Sequence, residues 1–199
     1  MSGEHERSHA IDEKRFFSLG EQRVVVEDFR ADGWILDIGG GGEGVISQFK
    51  GSQVVAIDLS QRELGGINAD SLKVVMDARD LKFLDAAFNT VTAFFTLLFV
   101  NPPDHARVFE EAFRVLKPGG RFLIWEANLP ARSDPIKDII VIRLKVILPH
   151  KEISTGFGYF WPDHVQDDRY YVDMARRVGF RITEPRPRGL TFFLELTKP

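Results

Sequence analysis

Apolar positions along the chain fall into short runs broken by polar and glycine-rich stretches, with periods of strand and helix alternating. "WILDIG" reads as a short buried strand, and Glu43 to Phe49 as the start of the helix that follows. "SQVVAIDLS" is a second strand ending in Asp58, and "LKVVMDARDL" repeats that form and ends in Asp77. "NTVTAFFTLLFV" is a longer strand, rich in β-branched and aromatic residues. A helix comes next, with Asp104 as N-cap, helical periodicity through "ARVFEEAFRVL" and "KPGG" as its stop. "RFLIWEANL" is a fifth strand, and upstream of all these Glu13 to Phe29 reads as a helix with Val24, Val25 and Phe29 on its apolar face. Strands alternating with helices imply right-handed crossovers and a mostly parallel sheet covered by helices on both faces.

The last fifth follows another plan. "YYVDMARRVG" is a helix ending at Gly179, and "FRITEP" and "LTFFLELTKP" are strands joined only by "RPRG". A connection that short cannot be a crossover, so the terminal pair is antiparallel. Between the fifth strand and the last helix lies an insertion, residues 131–165. Pro135 after Asp134 could open a helix there, but the dense run from Ile139 to Leu148 favours a strand. The segment therefore reads as a two-stranded hairpin, turning near "PHKE" and returning through "ISTGFGYFW".

Composition narrows the options. The 199 residues fit one domain, spanning residues 1–199, with residues 1–12 a flexible start. Cysteine is absent, which excludes disulfides, thiolate metal sites and a cysteine nucleophile, and suits the cytoplasm. The formal net charge of −3 offers no basic field for nucleic acid, and no apolar run is long enough to cross a membrane. The polar start, with both charge signs, is not a signal peptide. His5 and His9 stand four apart there without a further ligand, so no metal site is expected.

The chemistry concentrates in "ILDIGGGGEGVISQF", where five of the six residues from Gly39 to Gly44 are glycine. Gly39, Gly41 and Gly44 match the dinucleotide fingerprint G-x-G-x-x-G, and Asp58 stands where a ribose-binding acid would in an NAD site. Asp37 and Glu43 argue against NAD. A pyrophosphate at a helix N-terminus is favoured by bare N–H groups and the helix dipole, and two nearby carboxylates would oppose it. Those carboxylates suit a ligand with positive groups, such as the sulfonium and ammonium of S-adenosylmethionine.

Over roughly Trp34 to Lys198 the chain resembles the class I S-adenosylmethionine-dependent methyltransferases of the small-molecule type. "ILDIGGGGEG" is similar to that family's D-x-G-x-G turn through Asp37, Gly39 and Gly41, with the third glycine one residue late at Gly44 and Glu43 where glycine is commoner. "VVAIDLS", "MDARDLKF" and "FRVLKPGGRFLI" resemble the later motifs, in order. The resemblance implies a Rossmann-like α/β fold: a seven-stranded sheet, mostly parallel, with an antiparallel C-terminal strand. It implies a donor site of Asp37, Ile38, Gly39, Gly40, Gly41, Asp58, Leu59, Asp77, Ala78 and Thr96, with Leu97 beside Thr96 on the wall. There Asp58 would hold the ribose hydroxyls, Leu59 would lie against the adenine, and Asp77 would accept from its amino group. Without the resemblance, "KPGG" is only a helix stop, and Asp77 and Asp80 could be caps.

Methyl transfer asks mainly for alignment and exclusion of water, and needs a base only where the acceptor must first lose a proton. No catalytic residue is assigned. His105 is expected to be exposed in the first turn of its helix, and His150 and His164 are expected in solvated loops. Glu126, ending the fifth strand, is expected to point toward the ligand edge. Phe17, Glu126, Tyr159 and Trp161 are the candidate acceptor residues, and the aromatic cluster with Phe157 and Phe160 points to an apolar small molecule. "NPPD" (Asn101 to Asp104) resembles a motif of DNA adenine methyltransferases but falls too late and lacks the aromatic, so it reads as helix-entry punctuation. The insertion strand could alternatively be a homodimer contact, because an exposed apolar edge invites pairing. The competing functional reading is an inactive methyltransferase-like fold that binds a ligand or a partner.

Overall fold

In the computed structural model, which describes residues 12–183 and 185–199, the central strands read from "WILDIG" and "SQVVAIDLS" are buried on both faces. In chain order the elements are β1 (Phe16–Val25), β2 (Ile35–Ile38), α1 (Val45–Lys50), β3 (Val54–Asp58), α2 (Gln61–Gly66), β4 (Leu72–Val75) and β5 (Phe88–Phe94). They continue with α3 (His105–Val115), β6 (Leu116–Ala127), β7 (Ile139–Leu148), β8 (Lys151–Phe160), α4 (Asp168–Val178), β9 (Arg181–Ile182), β10 (Arg186–Arg188) and β11 (Thr191–Thr197). His5, His9 and the rest of residues 1–11 lie outside the described residues.

The main sheet runs β10-β11-β6-β5-β2-β3-β4, with β9 also on β11. β6 takes one edge of β11, and β9 and β10 lie one after the other along its other edge, so eight strands fill seven positions. β2 to β6 are mutually parallel and β11 runs against β6, as the short terminal connection requires. Side chains alternate between faces with period two. Leu36, Ile38, Val55, Ile57, Val91, Phe122 and Ile124 meet α3 and α4, whereas Ile35, Val54, Ala56, Leu123 and Trp125 face the other way.

That second face is covered differently from expectation. Its helices, α1 and α2, have six residues each, and a separate three-stranded sheet, β1-β7-β8, fills the remaining area. β7 turns Ile140, Ile142, Leu144, Val146 and Leu148 inward at every second residue. β8 returns antiparallel to it, and β1 lies parallel along its other edge.

Two expectations of secondary structure fail. The predicted helix from Glu13 to Phe29 is a single 3-10 turn at Glu13–Arg15 followed by β1. The pairing that decides this is long-range: Arg15 donates to both carboxylate oxygens of Asp138, at 2.7 and 2.5 Å, and sets β1 against β7. Local periodicity contains no record of such a partner, and tertiary context overrides it. The strand predicted through "NTVTAFFTLLFV" stops at Phe94. Phe95 takes a left-handed conformation (φ 48°) and donates its N–H to Trp125 O, and Leu97–Phe99 coils into a 3-10 turn. The dimer argument also weakens, because β7 is paired along both edges and offers none. Among the described residues no helix is long and apolar enough to cross a membrane.

If β1-β7-β8 is an integral layer of the core, Ile142→Ala should cost about 2–5 kcal/mol in urea unfolding. Its exposed neighbour gives the control: Arg143→Ala should stay within about 0.5 kcal/mol. Equal effects at the two positions would mean that this layer is not packed as described.

Candidate functional site

The loops after β2, β3 and β4 and the turn after β5 gather at the carboxyl ends of their strands, around a cavity of about 610 Å³. Such an edge is where open α/β sheets take ligands, and the volume is that of a small-molecule site. Asp37, Ile38, Gly39, Gly40, Gly41, Asp58, Leu59, Asp77, Ala78 and Thr96 all line it.

Glycine is demanded at two points of the turn. Gly39 has φ +64°, and a Cβ there would lie 2.1 Å from Thr96 Cγ2. Gly44 has φ +57°, and its Cβ would fall 2.6 Å from Ile67 Cγ2. The late third glycine therefore has a local cause: it is the N-cap of α1, which begins at Val45 rather than at Glu43.

The acids of the site differ in state. Asp37 is buried, and Thr92 donates to its Oδ1 at 2.7 Å. Burial pushes its pKa up to about 7, opposed by the Thr92 hydrogen bond and reinforced by Asp58. Asp58 Oδ1 accepts from the Ser60 N–H at 2.8 Å, which fixes the carboxylate at the end of β3. Leu59, beside it, is 67% exposed. Asp77 is held by Arg79, whose Nη2 lies 2.7 Å from Oδ2 and whose backbone N–H reaches Oδ1 at 2.8 Å. That pairing keeps the Asp77 carboxyl below the usual carboxylate range. Arg79 also donates to Asp104 Oδ2 at 2.7 Å. Asp104 occupies the N-cap position of α3, but its side chain serves Arg79 instead of capping the helix. Asp80 pairs with Lys82 outside the cavity.

Sequence reasoning missed Arg79 and the role of Glu43. Glu43 Oε1 accepts from Thr155 Oγ1 at 2.5 Å, which joins the glycine turn to β8, and Lys151 of β8 donates to Gln48 of α1. Thr155, Gly156 and Phe157 of β8 and Leu144 of β7 thus close one side of the cavity. Six acidic residues line it (Asp37, Glu43, Asp58, Glu63, Asp77 and Asp104) against a single basic one, Arg79, already bonded to two of them.

The candidate acceptor residues do not line this cavity. Phe17 stacks on Trp161 with ring centroids 4.1 Å apart, and Trp161 donates to Pro130 O at 2.7 Å. Tyr159, Trp161 and His164 border a smaller cavity of about 300 Å³, which shares Val100 and Asn101 with the first. His150 is exposed at the turn between β7 and β8.

Two further expectations are corrected. Glu126 does not point to the ligand edge: it lies buried beneath the Leu97–Phe99 turn, accepting from Ala127 N–H at 2.9 Å and Leu98 N–H at 3.3 Å. Burial pushes its pKa up to about 8. His105 is fully buried, not exposed. Its Nε2 stands 2.8 Å from Leu97 O, which can only accept, so Nε2 carries the proton and Nδ1 accepts from the Tyr170 hydroxyl at 2.9 Å. Burial lowers its pKa, which favours this neutral form. Neither position carries a local sequence signal, because the 3-10 turn that covers both follows from the early end of β5. Among the described residues no cluster of three or more His, Asp or Glu could hold a metal.

Comparison with known proteins bears on the same region. A family described as methyltransferase domain matches residues 36–124, from β2 into β6. The ubiquinone/menaquinone biosynthesis C-methyltransferase UbiE of Proteus mirabilis is 33% identical over 119 residues, 53% of this chain and 46% of that enzyme. The chain spans about half the length of the curated relatives it matches best covered, and less of the others. An S-adenosylmethionine-dependent methyltransferase of Methanosarcina mazei superposes with a TM-score of 0.62 at 21% identity, covering 85% of this chain and 94% of that one. The [4+2]-cyclase SpnF superposes with a TM-score of 0.57 at 18% identity, covering 84% and 76%. Structural likeness at these identities establishes the fold, and a fold hosts more than one chemistry.

The raised pKa of Glu126 yields a test. The folded state keeps the carboxyl protonated while the unfolded chain ionises it above about pH 4.5, so its contribution is fullest below that pH and is lost as pH rises to about 8. This group should lower stability by roughly 1.4 kcal/mol per pH unit across that window. Glu126→Gln should remove that slope from urea unfolding measured between pH 5 and 8, and an unchanged slope would contradict the assignment.

Proposed function

We propose that this chain is a class I S-adenosylmethionine-dependent methyltransferase that transfers a methyl group from S-adenosylmethionine to a small-molecule acceptor, a reading supported by the methyltransferase-domain match over residues 36–124 and by the fold. The observation that carries the donor reading is the charge of the cavity, six acids against one paired arginine around a glycine turn. A pyrophosphate would meet Asp37, Glu43 and Asp58 in place of free positive groups, whereas a sulfonium and an ammonium find the charge they need.

In this reading Asp58 holds the ribose hydroxyls, and Leu59, apolar and exposed with nothing yet against it, takes the adenine face. Asp77 and Ala78 border the adenine edge, the backbone of Gly39 to Gly41 follows the amino-acid portion, and Asp37 lies beneath it. Bound there, S-adenosylmethionine would supply a methyl group activated by its sulfonium. The chain's own contribution is placement and dryness: Thr96 and Phe95 form a wall, and Phe157 of β8 closes it from above. Residues 1–199 act as one methyltransferase domain in the cytoplasm, with residues 131–165 supplying the acceptor side.

One observation favours the competing, non-catalytic reading. Arg79 already grips the carboxylate that would meet the adenine amino group. Calorimetric titration with S-adenosylhomocysteine, S-adenosylmethionine and NAD tests the donor reading, and transfer of a labelled methyl group from S-adenosylmethionine separates turnover from binding alone. Both adenosyl ligands should bind and NAD should not. Asp58→Ala should weaken S-adenosylhomocysteine by about 10- to 100-fold, the loss of charge-assisted hydrogen bonds. Tight NAD binding, or indifference to Asp58→Ala, would sink the proposal.

A further inference from the structure

The cavity wall combines the acids and the glycine turn with an apolar part made by Phe94, Phe95, Phe99, Val100, Leu144 and Phe157. The rings there touch one another without filling the space. Phe157 lies 5.8 Å from Phe95 and 5.3 Å from Phe99, centroid to centroid, the latter edge to face, and Phe99 lies 5.1 Å from Tyr159. Phe99 nevertheless remains 44% exposed, although Glu126 and His105 hold its turn rigidly from below. A ligand that covered this ring would remove further apolar surface from water, a favourable change.

The polar environment limits what that can be. No free cation faces the apolar part among the described lining residues, because Arg79 is bonded to Asp77 and Asp104. Carboxylates dominate the remainder, so an anionic acceptor would be repelled at short range and left unpaired. Flat rings suit offset and edge-to-face contact with three phenylalanines drawn from two different elements, the turn after β5 and the strand β8.

We infer that Phe95, Phe99 and Phe157 form the acceptor-binding wall, and that the acceptor is a neutral, planar aromatic molecule without a carboxylate, phosphate or sulfonate group. This deepens the methyl-transfer reading and rests on it for the word acceptor, but not for the binding wall. The hairpin acts as a specificity element: its ladder with β7 places Phe157 at the cavity, and Glu43 and Gln48 tie β8 to the glycine turn and α1.

The test uses fluorescence titration of the full chain with 1-naphthol as a neutral probe and naphthalene-1-sulfonate as its anionic counterpart, with saturating S-adenosylhomocysteine and without it. Naphthol should bind and the sulfonate should bind at least tenfold more weakly. Phe99→Ala and Phe157→Leu should each weaken naphthol by about tenfold, the scale of a lost aromatic contact. Phe99 is half exposed and Leu keeps Phe157's apolar volume, so both variants should fold, which circular dichroism checks. The affinity of Phe99→Ala for S-adenosylhomocysteine, read by calorimetry, should stay within about twofold. Equal binding of the two probes, or naphthol binding untouched by both substitutions, would overturn the inference. Ring-dependent naphthol binding in a protein that ignores S-adenosylhomocysteine would support the wall and remove the donor reading instead.

Discussion

The site depends on one close approach. The chain leaving β2 passes the chain leaving β5 so tightly that Gly39 faces Thr96 with no room for a β-carbon. Thr96 returns a hydrogen bond to Gly39 O at 3.3 Å. Because β2 and β5 are adjacent parallel strands in register from Ile35↔Thr90 to Ile38↔Ala93, their ends arrive together, and the loops must then diverge. One diverges through the glycine turn into α1, the other through Phe95 into the 3-10 turn. The space between them is the cavity.

A second layer of polar contacts makes that divergence rigid. Phe95 N–H is taken by Trp125 O, Leu98 N–H by Glu126, and Leu97 O by His105. All three partners are buried, in or beside β6 and α3. A short turn with its main chain satisfied from below does not collapse into the space above it. The groups that resemble catalytic machinery on paper, a glutamate and a histidine near the ligand edge, serve as its foundations.

Much of this was legible in the residue pattern, and the parts that were not share a cause. Strand order from β2 to β5, the helix α3, the antiparallel β11 and many of the residues that line the cavity follow from local signals: apolar runs, a glycine turn, and acids at or just past the ends of three strands. The N-terminal strand did not, because its partner lies 123 residues away at Asp138. The end of β5 was equally hidden, since Phe95, Leu97, Leu98 and Phe99 are good strand formers and only the approach of Gly39 and Trp125 O turns them aside. From that single boundary came the misplacements of His105 and Glu126. Arg79 was missed for another reason: "DARD" gives no hint that its arginine turns back onto the first aspartate and across to Asp104.

The parallel pairing of β1 with β7 has a temporal side. β1 leaves the ribosome well before β7, the strand that receives it, so at about 5–20 residues per second it waits roughly 6 to 25 s for a partner. Over that interval Val24 and Val26, buried in the finished protein, have no native place to go. The central sheet from β2 to β6 is complete in the sequence before β7 begins, so it can condense first and offer its uncovered face to the late-arriving layer. Contacts of such long sequence separation are slow to form, so β1 joins the cover over the cavity only after the central strands β2 to β6 are made.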